Sequence, residues 1–301
     1  TTPITTLSPE AVGMSEEALL VESYLADIAM MPEDQQEPEF RLVTDFMDEA
    51  MGDEERQILL KRLETRELLG RLAAPYRSWL QEKYGEHNNF QEEVEHLLSG
   101  KSPFLIMPSK EWEGVAEEDF EKELTSRLSE AVDLRLVGEP MTFPRPEWEG
   151  ESSIVHLDRY PRPESRYTLS ASRLESGQVV GIFGIATIRD VNAVPHPSHQ
   201  TTEKVSQFED LKIAVNNSPE LKRLYDDIKS GRPPKYKEMN VITDPHVPDS
   251  KTHFYCVLLD PGDVVVWPQG GEASKRPAWH GFRSVGDQAR KSTSYHFIAK
   301  T

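Results

Sequence analysis

The chain has 301 residues, 37% of them hydrophobic and 29% charged, the balance of an ordinary globular protein long enough to bury a sizeable core. Its formal net charge of −18 argues against nucleic acid or anionic membrane as a partner, since phosphate binding needs clustered Lys and Arg. No apolar run nears the roughly 20 residues of a membrane helix.

The start, Thr1 to Leu7, lacks a Met and has neither the basic flank nor the apolar stretch of a signal peptide, so a processed start is expected. Cys256 is the only cysteine, which rules out an internal disulfide and suits a reducing compartment. A cytoplasmic location follows as the expectation.

The first 130 or so residues carry helical periodicity. From Ser15 to Met31 the apolar positions Ala18, Leu19, Val21, Leu25, Ile28 and Ala29 recur at spacings of three and four, with Ser15 as N-cap. Pro32 to Pro38 breaks the pattern; Phe40 to Met51, Glu54 to Leu72 and Pro75 to Tyr84 resume it. Pro103 to Pro108 reads as a short strand, and Phe120 to Val132 as a further helix.

From Leu134 the period becomes two: Leu134 to Val137, Met141 to Phe143, Arg166 to Leu174 and above all Gln178 to Val191 read as strands. Glu203 to Tyr236 is polar and helical in pattern, with Leu211, Val215, Leu221, Leu224, Tyr225 and Ile228 as its apolar face, and reads as an insertion or lid. His253 to Leu259 and Asp263 to Trp267 read as a strand pair joined at Asp260-Pro261-Gly262, where Pro presets φ and Gly tolerates positive φ. Thr293 to Lys300 closes the chain as a strand. An α+β chain is predicted, helical over 1–132 and β-rich over 133–301, with the insertion at about 203–236.

Two motifs stand out within the β-rich half: Ile154-Val155-His156-Leu157-Asp158, and Pro277-Ala278-Trp279-His280 followed ten residues on by Arg290-Lys291-Ser292. A spacing of two puts His156 and Asp158 on one face of a strand, and likewise Arg290 and Ser292. Two imidazoles and one carboxylate occupy one face of an octahedral Fe(II) and leave three positions open. An arginine shortly downstream suits the planar, bidentate grip of a carboxylate.

The order His-x-Asp, distant His, Arg-x-Ser resembles the Fe(II)/2-oxoglutarate-dependent dioxygenases, including the isopenicillin N synthase-like and phytanoyl-like small-molecule oxygenases. The resemblance covers Glu151 to Thr301 at most. It implies a double-stranded β-helix (jelly-roll, cupin-like) core, with His156, Asp158 and His280 as ligands of a catalytic Fe(II). It further implies 2-oxoglutarate held by Arg290 and Ser292 with help from Tyr167 and Ser172, O2 as oxidant, and ascorbate as an assay supplement.

His280 is singled out among nine histidines because it follows Gly262-Asp263, an apolar run and a Gly-rich loop, as the distal histidine does in the resembled family. Arg173, Phe183, Trp267 and Phe297 are candidate substrate contacts, for a small molecule such as an amino acid or specialised metabolite. Since Asp158 is present, halogenation, for which the related enzymes lack this carboxylate, is not expected.

Other readings stand beside this one. His156 and Asp158 read alternatively as a surface pair, and Arg290 as paired with a surface carboxylate such as Asp287; a separate rival is a catalytically silent β-helix scaffold whose helical half binds a partner protein. A cupin-type metalloenzyme without 2-oxoglutarate would use Arg290 on its substrate. His196 and His199 sit in a proline-rich loop read as solvent-exposed, and His246, His253 and His296 do not fit the motif order. Oligomeric state is left open.

Overall fold

A computed structural model of the chain describes residues 14–85, 90–143, 155–159, 167–187, 189–190, 199–200, 211–215, 218–243, 247, 249–270 and 276–300. Ile154, the 203–210 part of the expected insertion, His196 and His246 lie outside the described residues. Among those described, no helix is long and apolar enough to cross a membrane.

The chain divides into two compact units, residues 1–87 and 88–301. The first holds α1 (Glu16–Ala29), α2 (Glu33–Ala50), α3 (Asp53–Thr65) and α4 (Ala74–Tyr84). Ser15 caps α1 as its position predicts, its Oγ accepting from the Ala18 N–H at 3.1 Å. The expected break at 32–38 is confined to Pro32, the N-cap of α2. Pro38 falls inside that helix, beyond its first turn, so the helix runs on through it with the bond to the Asp34 carbonyl given up. Phe40 and Trp79 meet edge-on at 5.9 Å in the core of this unit.

The second unit mixes helices with two antiparallel sheets. It contains α5 (Phe90–Ser99), α6 (Phe120–Leu128) and α7 (Pro219–Lys229), and thirteen strands among the described residues. One sheet runs β1 (Leu105–Met107), β11 (Val264–Pro268), β5 (Leu169–Ser176), β13 (Lys291–Ala299), β2 (Leu134–Leu136), with β3 (Met141–Phe143) also on β13. The other runs β7 (His199–Gln200), β8 (Leu211–Val215), β4 (His156–Arg159), β12 (Ala278–Ser284), β6 (Val179–Ile185), β10 (Lys251–Leu259), β9 (Tyr236–Ile242).

Strand alternation divides each sheet's residues between two faces. Outward residues of the first sheet, among them Leu169, Ala171, Val264, Val266, Tyr295 and Phe297, pack with Leu97, Leu124 and Leu128 of α5 and α6. Those helices therefore pack with the strands, within the unit of residues 88–301. Outward residues of the second sheet, including Leu157, Val180, Ile182, Phe254 and Trp279, pack against Leu221, Leu224 and Ile228 of α7. The inner faces meet through Trp267 of β11, whose ring centroid lies 6.0 Å from Phe183 and 5.5 Å from Phe282.

Two expectations are corrected here. Within the expected helical stretch 203–236, the described residues include a strand, Leu211–Val215, paired with β4, and a helix, Pro219–Lys229. The α7 stripe is buried against the outer face of the sheet, so this helix is part of the core rather than a lid. The strands around Asp260-Pro261-Gly262 do not pair with each other either: β10 pairs with β6 and β9, and β11 with β1 and β5.

That turn instead carries the chain from one sheet to the other. Gly262 sits at φ +93°, where a Cβ would come within 2.7 Å of Ser109. Asp263 locks the crossing, accepting from the backbone N–H of Asp260 at 2.9 Å and of Ser109 at 3.0 Å.

Candidate metal centre

β4 and β12 are antiparallel neighbours, and His156 and His280 are direct partners in their register. Leu157 and Trp279 turn outward into the apolar cluster under α7, which sends His156, Asp158 and His280 to the inner face. The pattern that puts Leu and Trp into a core thus fixes the direction of three polar side chains. Both imidazoles are buried, 8% and 4% exposed, and Asp158 is half-buried, so neither histidine belongs to a surface pair.

The ring centroids of His156 and His280 are 4.3 Å apart. His156 Nε2 lies 3.5 Å from Asp158 Oδ1, and His280 Nε2 lies 3.3 Å from Asp158 Oδ2. One ligand atom from each of the three residues falls within a 4.8 Å set, the one such group among the described residues. Two ligand atoms about 2.1 Å from an ion and at right angles stand about 3 Å apart. The donor set and its spacing therefore fit a divalent metal ion.

His280 Nδ1 is 3.0 Å from the carbonyl oxygen of Ala278. A carbonyl only accepts, so Nδ1 carries a proton, and Nε2 is the ring atom turned toward Asp158 as the ligand atom. Nε2 and a carboxylate oxygen at this separation can share a cation between them. From the opposite sheet, Gln269 donates Nε2–H to Asp158 Oδ2 at 3.2 Å.

Trp267 and Phe183 both face this inner space. The Trp267 ring lies 5.1 Å from that of His280, and Phe183 stacks on Phe104 at 5.2 Å. Arg290 sits just before β13, its guanidinium carbon 5.9 Å from the centroid of Phe282, which shares the inner face of β12 with His280. Burial pushes the Arg290 guanidinium down to about 10, which leaves it cationic at neutral pH. Ser292 and Ser172 are both buried and both on the inner face of their sheet. Tyr167 stacks on His296 at 4.6 Å, and His296 Nδ1 is 2.7 Å from Ser170 Oγ, so Tyr167 and His296 form one wall of the same face.

Two expected substrate contacts lie on the wrong face. Arg173 points outward, with Nη1 2.8 Å from Glu117 and its guanidinium 4.1 Å from the ring of Phe120. Phe297 is buried in the outer cluster beneath α5 and α6. Ser170 and Ser172 are inward, so Arg173 cannot be; the same parity separates His296 from Phe297.

Sequence reasoning missed Gln269 and Phe282. Each is two residues from one it singled out, Trp267 and His280, and that spacing alone puts each on the same face. Of the rival histidines, His253 is exposed and lies 3.2 Å from Asn240 Oδ1, while His199 lies in β7 at the sheet edge.

No protein-family model matches the chain, and no curated protein matches it. Among solved structures, the non-heme iron oxygenase OrfP is similar at 15% identity and a TM-score of 0.33, over 98% of this chain and 93% of that one. OrfP in complex with Fe, succinate and (3R,4R)-dihydroxy-L-Arg gives 14% identity and a TM-score of 0.34, over 94% and 92%. Its complex with Fe and L-Arg gives 14% and 0.31, over 98% and 93%. A likeness at these scores fixes neither fold nor function.

Proposed function

We propose that this chain is a non-haem Fe(II) oxygenase that uses 2-oxoglutarate and O2 to oxidise a C–H bond of a small molecule. The observation that carries the reading is the cluster itself. Two imidazoles and one carboxylate converge within 4.8 Å on the inner face of a buried strand pair. The pair of facing antiparallel sheets suits a double-stranded β-helix, a fold that holds its site between its sheets.

His156, Asp158 and His280 would hold the ion from one side. Bound Fe(II) would supply open coordination positions and the reducing electrons that O2 chemistry needs. The protein's own part is to hold a tautomer, a cation and a dry wall. Ala278 keeps the proton of His280 on Nδ1, so that Nε2 stays available. Arg290, half-buried and cationic, would grip the distal carboxylate of 2-oxoglutarate, with Ser292 and Ser172 as hydroxyl donors. Phe183, Trp267 and Phe282 exclude water from the same space. In hydroxylation, substrate, O2 and 2-oxoglutarate would yield hydroxylated product, succinate and CO2.

The test is anaerobic addition of Fe(II) and then 2-oxoglutarate, followed by the weak visible charge-transfer band of the chelated keto acid. The expected result is a band in the wild type that disappears in His280→Ala and in Arg290→Ala. Iron bound without a band would replace this reading with a metalloenzyme that does not use 2-oxoglutarate. No iron at all would leave only the scaffold.

A further inference from the structure

Gln269 approaches the cluster from the sheet opposite its ligands. Its side chain is 4% exposed, and its position two residues after Trp267 turns it to the inner face. Its backbone N–H donates to the carbonyl of Thr168 at 3.1 Å, and Thr168 in turn donates to the carbonyl of Phe297 at 2.7 Å. The amide therefore stands on a platform fixed across β11, β5 and β13.

The contact with Asp158 also settles which end of the amide is which. A carboxylate accepts and does not donate, so the atom 3.2 Å from Asp158 Oδ2 is the nitrogen. That leaves Oε1 buried with no hydrogen-bond partner among the described residues. A buried amide oxygen without a donor is disfavoured, and its retention calls for a partner that arrives with a ligand. Oε1 shares its carbon with Nε2, so this acceptor stands beside the carboxylate that would ligate the ion. With three protein ligands, the ion keeps open positions, and water on a divalent cation is a strengthened donor.

We propose that Gln269 is a positioning residue with two contacts: Nε2 orients Asp158 as a ligand, and Oε1 accepts a hydrogen bond from a water on the bound divalent cation. This rests on the metal reading above.

Mn(II) alone, without co-substrate, is the probe. Its affinity is read by electron paramagnetic resonance and the residence of its water by ¹⁷O relaxation, on wild type, Gln269→Met and His280→Ala, with circular dichroism as the fold check. Gln269→Met should bind Mn(II) about 10-fold more weakly, the usual loss when a residue supporting a ligand is removed. Its water should exchange about 2- to 10-fold faster, the loss of one ordinary hydrogen bond.

Wild-type affinity and exchange in Gln269→Met would overturn the proposal. So would a wild-type water exchanging as fast as on aqueous Mn(II), a measurement that does not depend on the variant folding. If His280→Ala binds Mn(II) as the wild type does, the metal reading itself fails, which keeps the two failures distinct.

Discussion

Two aspartates on opposite faces of one sheet show how differently a fold can treat a carboxylate. Asp190, 5% exposed, lies on the side where Trp279 points and is surrounded by donors. It accepts from the Thr187 N–H at 2.8 Å, Thr243 Oγ1 at 2.9 Å, Thr252 Oγ1 at 3.2 Å and Trp279 Nε1 at 3.2 Å. Those donors come from beyond the end of β6, from β10 and β12, and from the residue that follows β9, so this carboxylate ties strand ends together. Asp158, on the inner face, meets two imidazole nitrogens at 3.5 and 3.3 Å and the Gln269 amide at 3.2 Å. The first set of partners completes a structural anion; the second suits an anion that shares a cation. Both carboxylates are largely withdrawn from water, and what separates them is the chemistry of the atoms they face.

The largest expected effects come from exchanging the two roles. Asp190→Ala leaves three donors without an acceptor, Thr243 Oγ1 keeping the Ser250 carbonyl at 2.8 Å, and should cost about 3 kcal/mol of stability, read by urea denaturation. Asp158→Asn should leave the metal-free protein within about 1 kcal/mol of wild type, because the amide oxygen can still accept from Gln269 in nearly the same shape. It should also weaken Mn(II) binding by more than about 100-fold, beyond the loss typical of a supporting residue. A strong loss of stability in Asp158→Asn would make Asp158 a structural carboxylate like Asp190 and undo the contrast.

A third carboxylate extends the comparison to the helical unit. Glu22 of α1 faces Arg62 Nε at 2.7 Å and Arg62 Nη2 at 3.2 Å, and also pairs with Arg66. Burial pushes its carboxyl up, but the two guanidiniums together hold it below its ordinary 4.5. The unfolded chain therefore binds the proton more readily, so the pair's contribution is fully present above about pH 4.5. It is lost as pH falls through the lower folded value. Glu22→Gln should cost about 2 kcal/mol at neutral pH, less than a fully buried pair because Arg66 is half exposed, and that difference should shrink in acid. Thermal melts at pH 7 and pH 3.5 check both size and sign.

Much of this was legible in the sequence, and what was missed has a common cause. His156 and Asp158 share a face at any register, because a spacing of two does so on every strand. His280 could be picked from context, since a Gly-Asp turn, an apolar strand and a loop lead to it. What the sequence does not carry is which face of one strand meets which face of another. Arg173 and Phe297 fail on that point alone: each stands one residue from an inward neighbour, and one position changes the side.

The misread stretch at 203–236 fails for a related reason. Leu211 and Val215 are four apart, a separation that a helix stripe and one strand face both satisfy. Pro219 and the run Leu221, Leu224, Ile228 mark where the helix begins. The turn at Asp260-Pro261-Gly262 was legible as a turn, but turn chemistry does not say whether the chain returns to its own sheet or crosses to the other.

The smallest expected effect tests how far the two carboxylates are linked. Trp279 precedes His280 and reaches Asp190 on the outer side of the sheet, so its indole N–H connects the structural anion to the strand that bears a metal ligand. Trp279→Phe keeps an aromatic ring in the apolar cluster and removes one of the four donors to Asp190. The cost should be about 1 kcal/mol, that of a single hydrogen bond with its acceptor still served by three others. Since His280 is held by its own carbonyl contact at Ala278 and by its register with His156, Mn(II) affinity should stay at the wild-type level. Titration of Trp279→Phe with Mn(II) alongside its melting curve separates the two outcomes. A loss of affinity out of proportion to the loss of stability would mean that Asp190 positions the metal strand as well as binding the strand ends together.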